Sequence, residues 1–300
     1  MKICFISIIG RPNVGKSSLT NAIVGYDVAI VTKTAQTTRD QIIGIYNDED
    51  TQLIFTDTPG IHKPQNKLGE ALNKNAYEAA KDVDVVLFLT PADEKIGPGD
   101  KMILDKIQNL KHKIAVITKI DTIKSQPEKL LAKMDELQEF QFEHIVSTSK
   151  DDFKSIDALI DLIKTYSYEG PLQYDESYVT DKSMRFIAKE IIRESAIEQL
   201  RDELPHSIAV EITDFIEDPD DLDEFGNQKI LINATIYVKK DSQKGMVIGK
   251  NASKIKQIGV NARMKIMRQF NQKTTLNLKV KVAKKWIDNQ EALARFGYKN

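Results

Sequence analysis

Gly10-Arg11-Pro12-Asn13-Val14-Gly15-Lys16-Ser17 follows an apolar run, Ile3–Gly10 (ICFISIIG), and opens a helical pattern, Ser17–Gly25 (SSLTNAIVG). Two glycines with Lys and Ser at this spacing, between a strand and a helix, form a phosphate-binding loop. The glycines let backbone N–H groups wrap phosphate oxygens, and Lys16 supplies a point charge to the β and γ phosphates. The Ser17 hydroxyl can ligate Mg²⁺. The helix starting near Gly15 turns its positive dipole end on the same anion. The candidate nucleotide-binding stretch is therefore Gly10, Asn13, Val14, Gly15, Lys16, Ser17 and Ser18.

Outward from this loop the chain alternates short β-rich runs with amphipathic helical stretches as far as about Tyr166. The runs after the first are Gln41–Tyr46, Gln52–Asp57, Asp84–Thr90, Lys113–Lys119 and His144–Thr148. Six strands with intervening helices predict an α/β fold, a doubly wound and mostly parallel sheet covered on both faces. Two of these strands end in further signals. Asp57-Thr58-Pro59-Gly60 places a carboxylate where it can hold Mg²⁺ through water, and the Gly60 amide where it can bond a γ-phosphate. Thr118-Lys119-Ile120-Asp121 offers a carboxylate that accepts from guanine N1–H and the 2-amino group. Adenine has no such pair of donors and would leave the carboxylate unsatisfied, so the expected ligand is GTP or GDP.

The whole chain has 300 residues, 41% hydrophobic and 29% charged, which suits a soluble protein of two domains. The net charge of -1 excludes nothing, but its distribution is uneven. Lys239–Lys285 holds 14 Lys/Arg against one acid, whereas Glu211–Glu224 holds eight acids and no base. A polyanion-binding face is expected in the first of these. The single cysteine, Cys4, admits no intramolecular disulfide and fits a reducing cytoplasm. The first apolar run reads as a strand rather than a signal peptide, and no apolar stretch approaches the ~20 residues that cross a bilayer.

Tyr168-Glu169-Gly170-Pro171 breaks the last helix. The expected division is a nucleotide domain over 1–168, an extended linker over 169–181 and a second domain over 182–300. In the second, a helix from Lys182 to about Leu204 precedes a strand, His206–Glu217, an acidic turn and a strand over Lys229–Lys240. Helices over 253–259 and 261–270 and a strand over 274–282 complete an α-β-β-α-α-β order. Met246–Ile255 (MVIGKNASKI) resembles the VIGxxGxxI signature of KH domains, in which a loop between two helices clamps single-stranded nucleic acid. The candidate RNA-binding residues are Val247, Ile248, Gly249, Lys250, Asn251, Ala252, Lys254 and Lys256. Ala252 stands where the second glycine is usual.

GRPNVGKS, AQTTRD (Ala35–Asp40), DTPG and TKxD together resemble the Era family, which joins a translation-factor-related GTPase domain to a type II KH domain. The resemblance covers nearly the whole chain. It implies a mobile first switch over Val31–Asp40, with Thr38 as the ligand of γ-phosphate and Mg²⁺ and Thr37 as the alternative. It implies a second switch from Asp57 through about Leu68. Lys16, Thr38 and Gly60 are then the catalytic candidates, and Ser17, Thr38 and Asp57 the Mg²⁺ ligands. Ras-type enzymes carry a water-orienting glutamine after the DxxG glycine, but Ile61 stands here, so slow intrinsic hydrolysis is expected. In related GTPases lacking that glutamine, an asparagine at the position of Asn13 helps hold K⁺; a bond within the loop is the other reading. Thr118 departs from the family's asparagine. Ser149 and Lys150 occupy the base-backing Ser-Ala position.

The resemblance further implies the 3′ end of 16S ribosomal RNA and the 30S subunit as partners, and peripheral membrane association; a cytoplasmic monomer is expected. The alternative function is a nucleotide-gated RNA-binding switch with negligible hydrolysis. A third option, a phosphate-loop small-molecule kinase, does not account for TKxD and the KH pattern. His62, His112, His144 and His206 show no ligand spacing and read as structural or surface residues. Trp286 and Phe296 read as packing residues.

Overall fold

In the computed structural model, Lys2–Gly10 (β1) runs through the middle of a sheet and is buried on both faces. The structure describes residues 1–32, 34, 38–64, 66–201, 204–222, 226 and 228–298, with the side chains of 218–220 outside that description. Thr37, Asp223 and Glu224 thus lie outside the described residues. The chain divides into two compact units, the main break falling between Asp181 and Lys182, with the short stretch Asn66–Leu68 grouped with the second.

The first unit contains α1 (Lys16–Val24), β2 (Ile42–Asn47), β3 (Thr51–Asp57), α2 (Lys67–Glu78) and β4 (Val85–Pro91). α3 (Pro98–Ile107), β5 (Lys113–Thr118), α4 (Pro127–Gln138), β6 (His144–Ser147) and α5 (Phe153–Lys164) follow. The sheet order is β2-β3-β1-β4-β5-β6, parallel throughout except for β2 against β3. β4 and β5 are buried at every position, because helices cover both faces. One face packs Ile6, Leu53, Leu87 and Val116 with α1 and α5; the other packs Ile9, Phe88 and Ile117 with α2, α3 and α4. Cys4 lies in the first of these layers, and burial pushes its thiol up to about 12. In such a sheet, ligands sit beyond the carboxyl ends of the strands, where β1, β3 and β5 deliver the three motifs.

The segment after α5 stays on this sheet. Tyr168–Glu169 (β7) pairs antiparallel with Lys2 and Ile3. Gln52 then accepts from the amides of Gln173 and Tyr174 and donates to the Tyr174 carbonyl, while the Ile45 amide bonds the Val179 carbonyl at 2.9 Å. The expected linker is thus extended and held along β3 and β2, since the outer edge of β2 leaves backbone groups open to pairing.

The second unit contains α6 (Met184–Gln199), α7 (Leu204–Ser207), β8 (Ala209–Leu222), β9 (Gln228–Val238), α8 (Asp241–Ile248), α9 (Ser253–Phe270), β10 (Thr274–Val282) and α10 (Gln290–Arg295). The expected first helix is shorter: the Ser183 hydroxyl caps α6 by accepting from the Phe186 amide, and the helix ends at Gln199. The acidic turn begins later than expected, because β8 continues to Leu222 past a register shift between Asp218 and Leu222. The sheet order is β10-β9-β8, with β10 parallel to β9 and β8 antiparallel. Ile192 and Ala196 of α6, Val247 of α8 and Ile258, Ala262 and Ile266 of α9 pack on Ile232, Ala234 and Ile236 of β9. Trp286 is fully buried and donates from Nε1 to the Ser207 carbonyl at 3.0 Å; Phe296 packs edge-on to it. Among the described residues no helix is long and apolar enough to cross a membrane.

Candidate nucleotide site and RNA-binding loop

A cavity of about 340 Å³ opens beyond β1, lined by Asn13, Gly15, Lys16, Ser17, Ser18, Thr38, Gly60 and Lys119 among others. Its floor is the loop that α1 requires: Gly15 at φ 100° and Asn13 at φ 63° turn the backbone before the first helical amide. Gly60 approaches so closely that a Cβ there would lie 2.6 Å from Pro12 Cα, which excludes any other residue. The Ile61 amide donates to the Gly10 carbonyl at 3.1 Å, and the Thr58 hydroxyl donates to the Ile8 carbonyl at 2.7 Å. DTPG is thereby sewn to β1. The motif alone did not show this role of Thr58.

Lys16 is buried, and its ammonium donates to the carbonyls of Gly10 (3.2 Å) and Arg11 (2.9 Å). Burial pulls its pKa down to about 8, against the attraction of Asp57. Asp57 is completely buried, and the same desolvation pushes its carboxyl up to about 6, against Lys16 and a hydrogen bond from Ser17. The Ser17 hydroxyl lies 2.6 Å from Asp57 Oδ2 and 2.9 Å from the Thr38 hydroxyl. The three expected Mg²⁺ ligands are therefore together. Asp57 Oδ1 is buried without a hydrogen-bond partner, and two hydroxyl oxygens and a carboxylate are the hard donors Mg²⁺ takes. The residues fit the ion. Ile61, in contrast, is completely buried in the apolar layer on α2, so its side chain faces away from the cavity.

After β5, Asp121 lies in a 3-10 turn, Ile120–Ile123, entered through Lys119 at φ 57°. The Ser149 hydroxyl donates to Asp121 Oδ1 at 2.7 Å. Thr118 is buried and donates to the Val14 carbonyl at 2.6 Å, so its hydroxyl ties the end of β5 to the loop between β1 and α1. The Val14 side chain is core, which leaves its backbone to serve the site. Lys150 is exposed and pairs with Asp151 at 3.5 Å.

In the second unit, α8 ends at Gly249 (φ 75°), and Asn251 (φ 52°) and Ala252 (φ 59°) follow in the left-handed region. A Cβ at Gly249 would meet the Lys254 amide at 3.0 Å. The loop is thus a tight reversal that holds Lys250, Asn251, Lys254 and Lys256 exposed. Val247 is corrected here: it is fully buried in the core, because it faces the sheet from α8, and presents no surface to a ligand. Ile248 and Ala252 are half-buried. Met246 of α8 and Val260 and Met264 of α9 are apolar and exposed.

A strand-loop-helix phosphate-loop cavity, with the Asp121 carboxylate following β5, and then a KH-type unit define a P-loop GTPase with a KH domain. A family model described as a 50S ribosome-binding GTPase matches residues 5–119, and a KH domain model matches residues 203–287. GTPase Era of Mycoplasmopsis agalactiae is 60% identical over 298 residues, 99% of this chain and 100% of that one. GTPase Era of Mycoplasmopsis pulmonis is 52% identical over 99% of both. Two solved structures superpose over 100% of both chains. One is Era in complex with MgGDPNP and nucleotides 1506–1542 of 16S ribosomal RNA (33% identity, TM-score 0.92). The other is a point variant of Aquifex aeolicus Era bound to GDP·AlF4⁻ (34% identity, TM-score 0.91). This chain belongs to the Era family of GTPases, and it is a GTP-hydrolysing enzyme.

Proposed function

We propose that this chain binds GTP with Mg²⁺ in its first unit and single-stranded RNA at the 3′ end of 16S ribosomal RNA in its second, and acts in assembly of the small ribosomal subunit in the cytoplasm. The observation that carries the reading is the superposition, over the full length of both chains, on Era in complex with MgGDPNP and a 16S ribosomal RNA segment. Lys16 would pair with the β and γ phosphates, and Gly60 would bond the γ-phosphate through its amide. Ser17, Thr38 and Asp57 would hold Mg²⁺, which neutralises charge on the phosphate oxygens. Asp121, aimed by Ser149, would select guanine. The exposed Lys250, Lys254 and Lys256 would contact phosphates along the RNA backbone.

With Ile61 turned into the core, no side chain at that position orients the attacking water. Intrinsic turnover is therefore slow, and a bound partner or cation completes the site. Multiple-turnover hydrolysis by the pure protein in potassium, with and without a 3′-terminal 16S RNA fragment, tests this. The reading expects GTP turnover that ATP does not inhibit, and RNA crosslinks mapping to the 3′ end. Turnover of ATP, or crosslinks confined to other RNA, contradict it.

A further inference from the structure

Arg11 lies inside the phosphate loop, yet its side chain leaves the nucleotide cavity. Its guanidinium pairs with Glu94 at 2.6 Å and with Asp100 at 2.8 Å. Asp100 is completely buried at the start of α3, where Oδ2 also accepts from the Gly97 amide at 3.0 Å. α3 comes so close that a Cβ at Gly99 would lie 2.8 Å from Arg11 Cδ. The segment carrying Glu94 is itself braced, since the Ile96 amide donates to the Glu136 carboxylate at 3.1 Å. At the other end of the same residue, the Arg11 carbonyl accepts from the Lys16 ammonium at 2.9 Å.

One residue thus connects the start of α3 to the Lys16 ammonium in the nucleotide cavity. We propose that Arg11 is a positioning residue for GTP hydrolysis: its clamp on Asp100 and Glu94 fixes the loop carbonyl that aims Lys16. The proposal rests on the assignment of Lys16 to the phosphates. A planar two-sided guanidinium suits two carboxylates at once; an ammonium reaches one of them.

The test is steady-state GTP turnover by full-length variants, with melting temperature recorded alongside. Arg11→Ala should lower kcat about tenfold or more with KM within about threefold, since ångström-scale misplacement of a supporting group costs up to about a hundredfold. Arg11→Lys should recover part of the loss. Arg11→Ala alone leaves Asp100 buried and unpaired, so the double variant Arg11→Ala/Asp100→Asn removes that charge while keeping an oxygen for the Gly97 amide. Its melting temperature should return towards the parent's while kcat stays low. The clamp is overturned if kcat in Arg11→Ala stays within twofold of the parent, or if the double variant regains full kcat with its stability. Lys16→Ala separates the two claims: parent-like turnover there overturns the Lys16 assignment and the clamp with it.

Discussion

The Ser149 hydroxyl donates to Asp121 Oδ1 at 2.7 Å, joining the loop after β6 to the carboxylate that follows β5. That bond fixes the direction of the carboxylate and leaves its other lone pairs to accept from a base. Asp121→Asn should shift preference from GTP towards XTP, because xanthine carries a carbonyl where guanine has its 2-amino group. The loss for GTP should be a few kcal/mol, as hydrogen bonds to charged groups are each worth ~1.5–3. Competition binding with GTP and XTP checks this, and unchanged GTP affinity removes Asp121 from the base site.

Asp57, with its carboxyl pushed up to about 6, holds a proton at pH values where an ordinary aspartate has lost it. Mg²⁺ needs the carboxylate, so the proton competes with the ion as pH falls through about 6. Below that value Mg²⁺ affinity in the GDP complex should fall about tenfold more per pH unit in the parent than in Asp57→Asn, one proton's worth of linkage. Metal titrations at pH 5 to 7.5 measure it. Equal slopes in both proteins refute the role of Asp57.

Asn13 lines the nucleotide cavity at φ 63° while Ile61 faces the core. Hydrolysis is expected to depend on potassium held in part by Asn13. The rate should fall when sodium replaces potassium, and Asn13→Ala should erase the difference. Equal parent rates in the two salts exclude the ion.

Ala252 occupies the left-handed region at φ 59°, which costs an L-residue about 1–2 kcal/mol that glycine avoids. Ala252→Gly should stabilise the second unit by up to about 1 kcal/mol, partly offset by the greater freedom of glycine when unfolded. RNA affinity should be equal or tighter. Trp286, the single tryptophan, is buried in this unit, so its fluorescence in urea follows the unfolding. A less stable variant contradicts the backbone argument.

The three nucleotide motifs were legible in the sequence because each is local: a few residues at fixed spacing, at the end of an apolar run. The partners that fix them were not. Thr118 bonds Val14 across 104 positions, and Arg11 meets Asp100 across 89, distances at which spacing carries no signal. The alternation of types in α8 did not reveal that Val247 faces the sheet, since its helix is short and capped by a glycine turn. β8 outran its apolar pattern because ladder pairing with β9 satisfies the backbone whatever the side chains. The linker was legible as extended but its anchor was not, because Gln52, the residue that holds it, is over 120 positions away.

The central claim, that one chain joins a GTPase to an RNA clamp at Gly249–Ala252, meets its most direct test in RNA affinity measured at several potassium concentrations. Lys250 is exposed within that loop and Lys254 in the first turn of α9 after it, and each should neutralise about one phosphate. Full-length protein carrying Lys250→Glu and Lys254→Glu should bind single-stranded RNA much more weakly. Its log-log salt slope should be shallower by roughly 0.7 for each phosphate no longer neutralised, with GTP affinity unchanged. A double variant that keeps the parent's RNA affinity and slope would show that RNA is held elsewhere and would contradict the account.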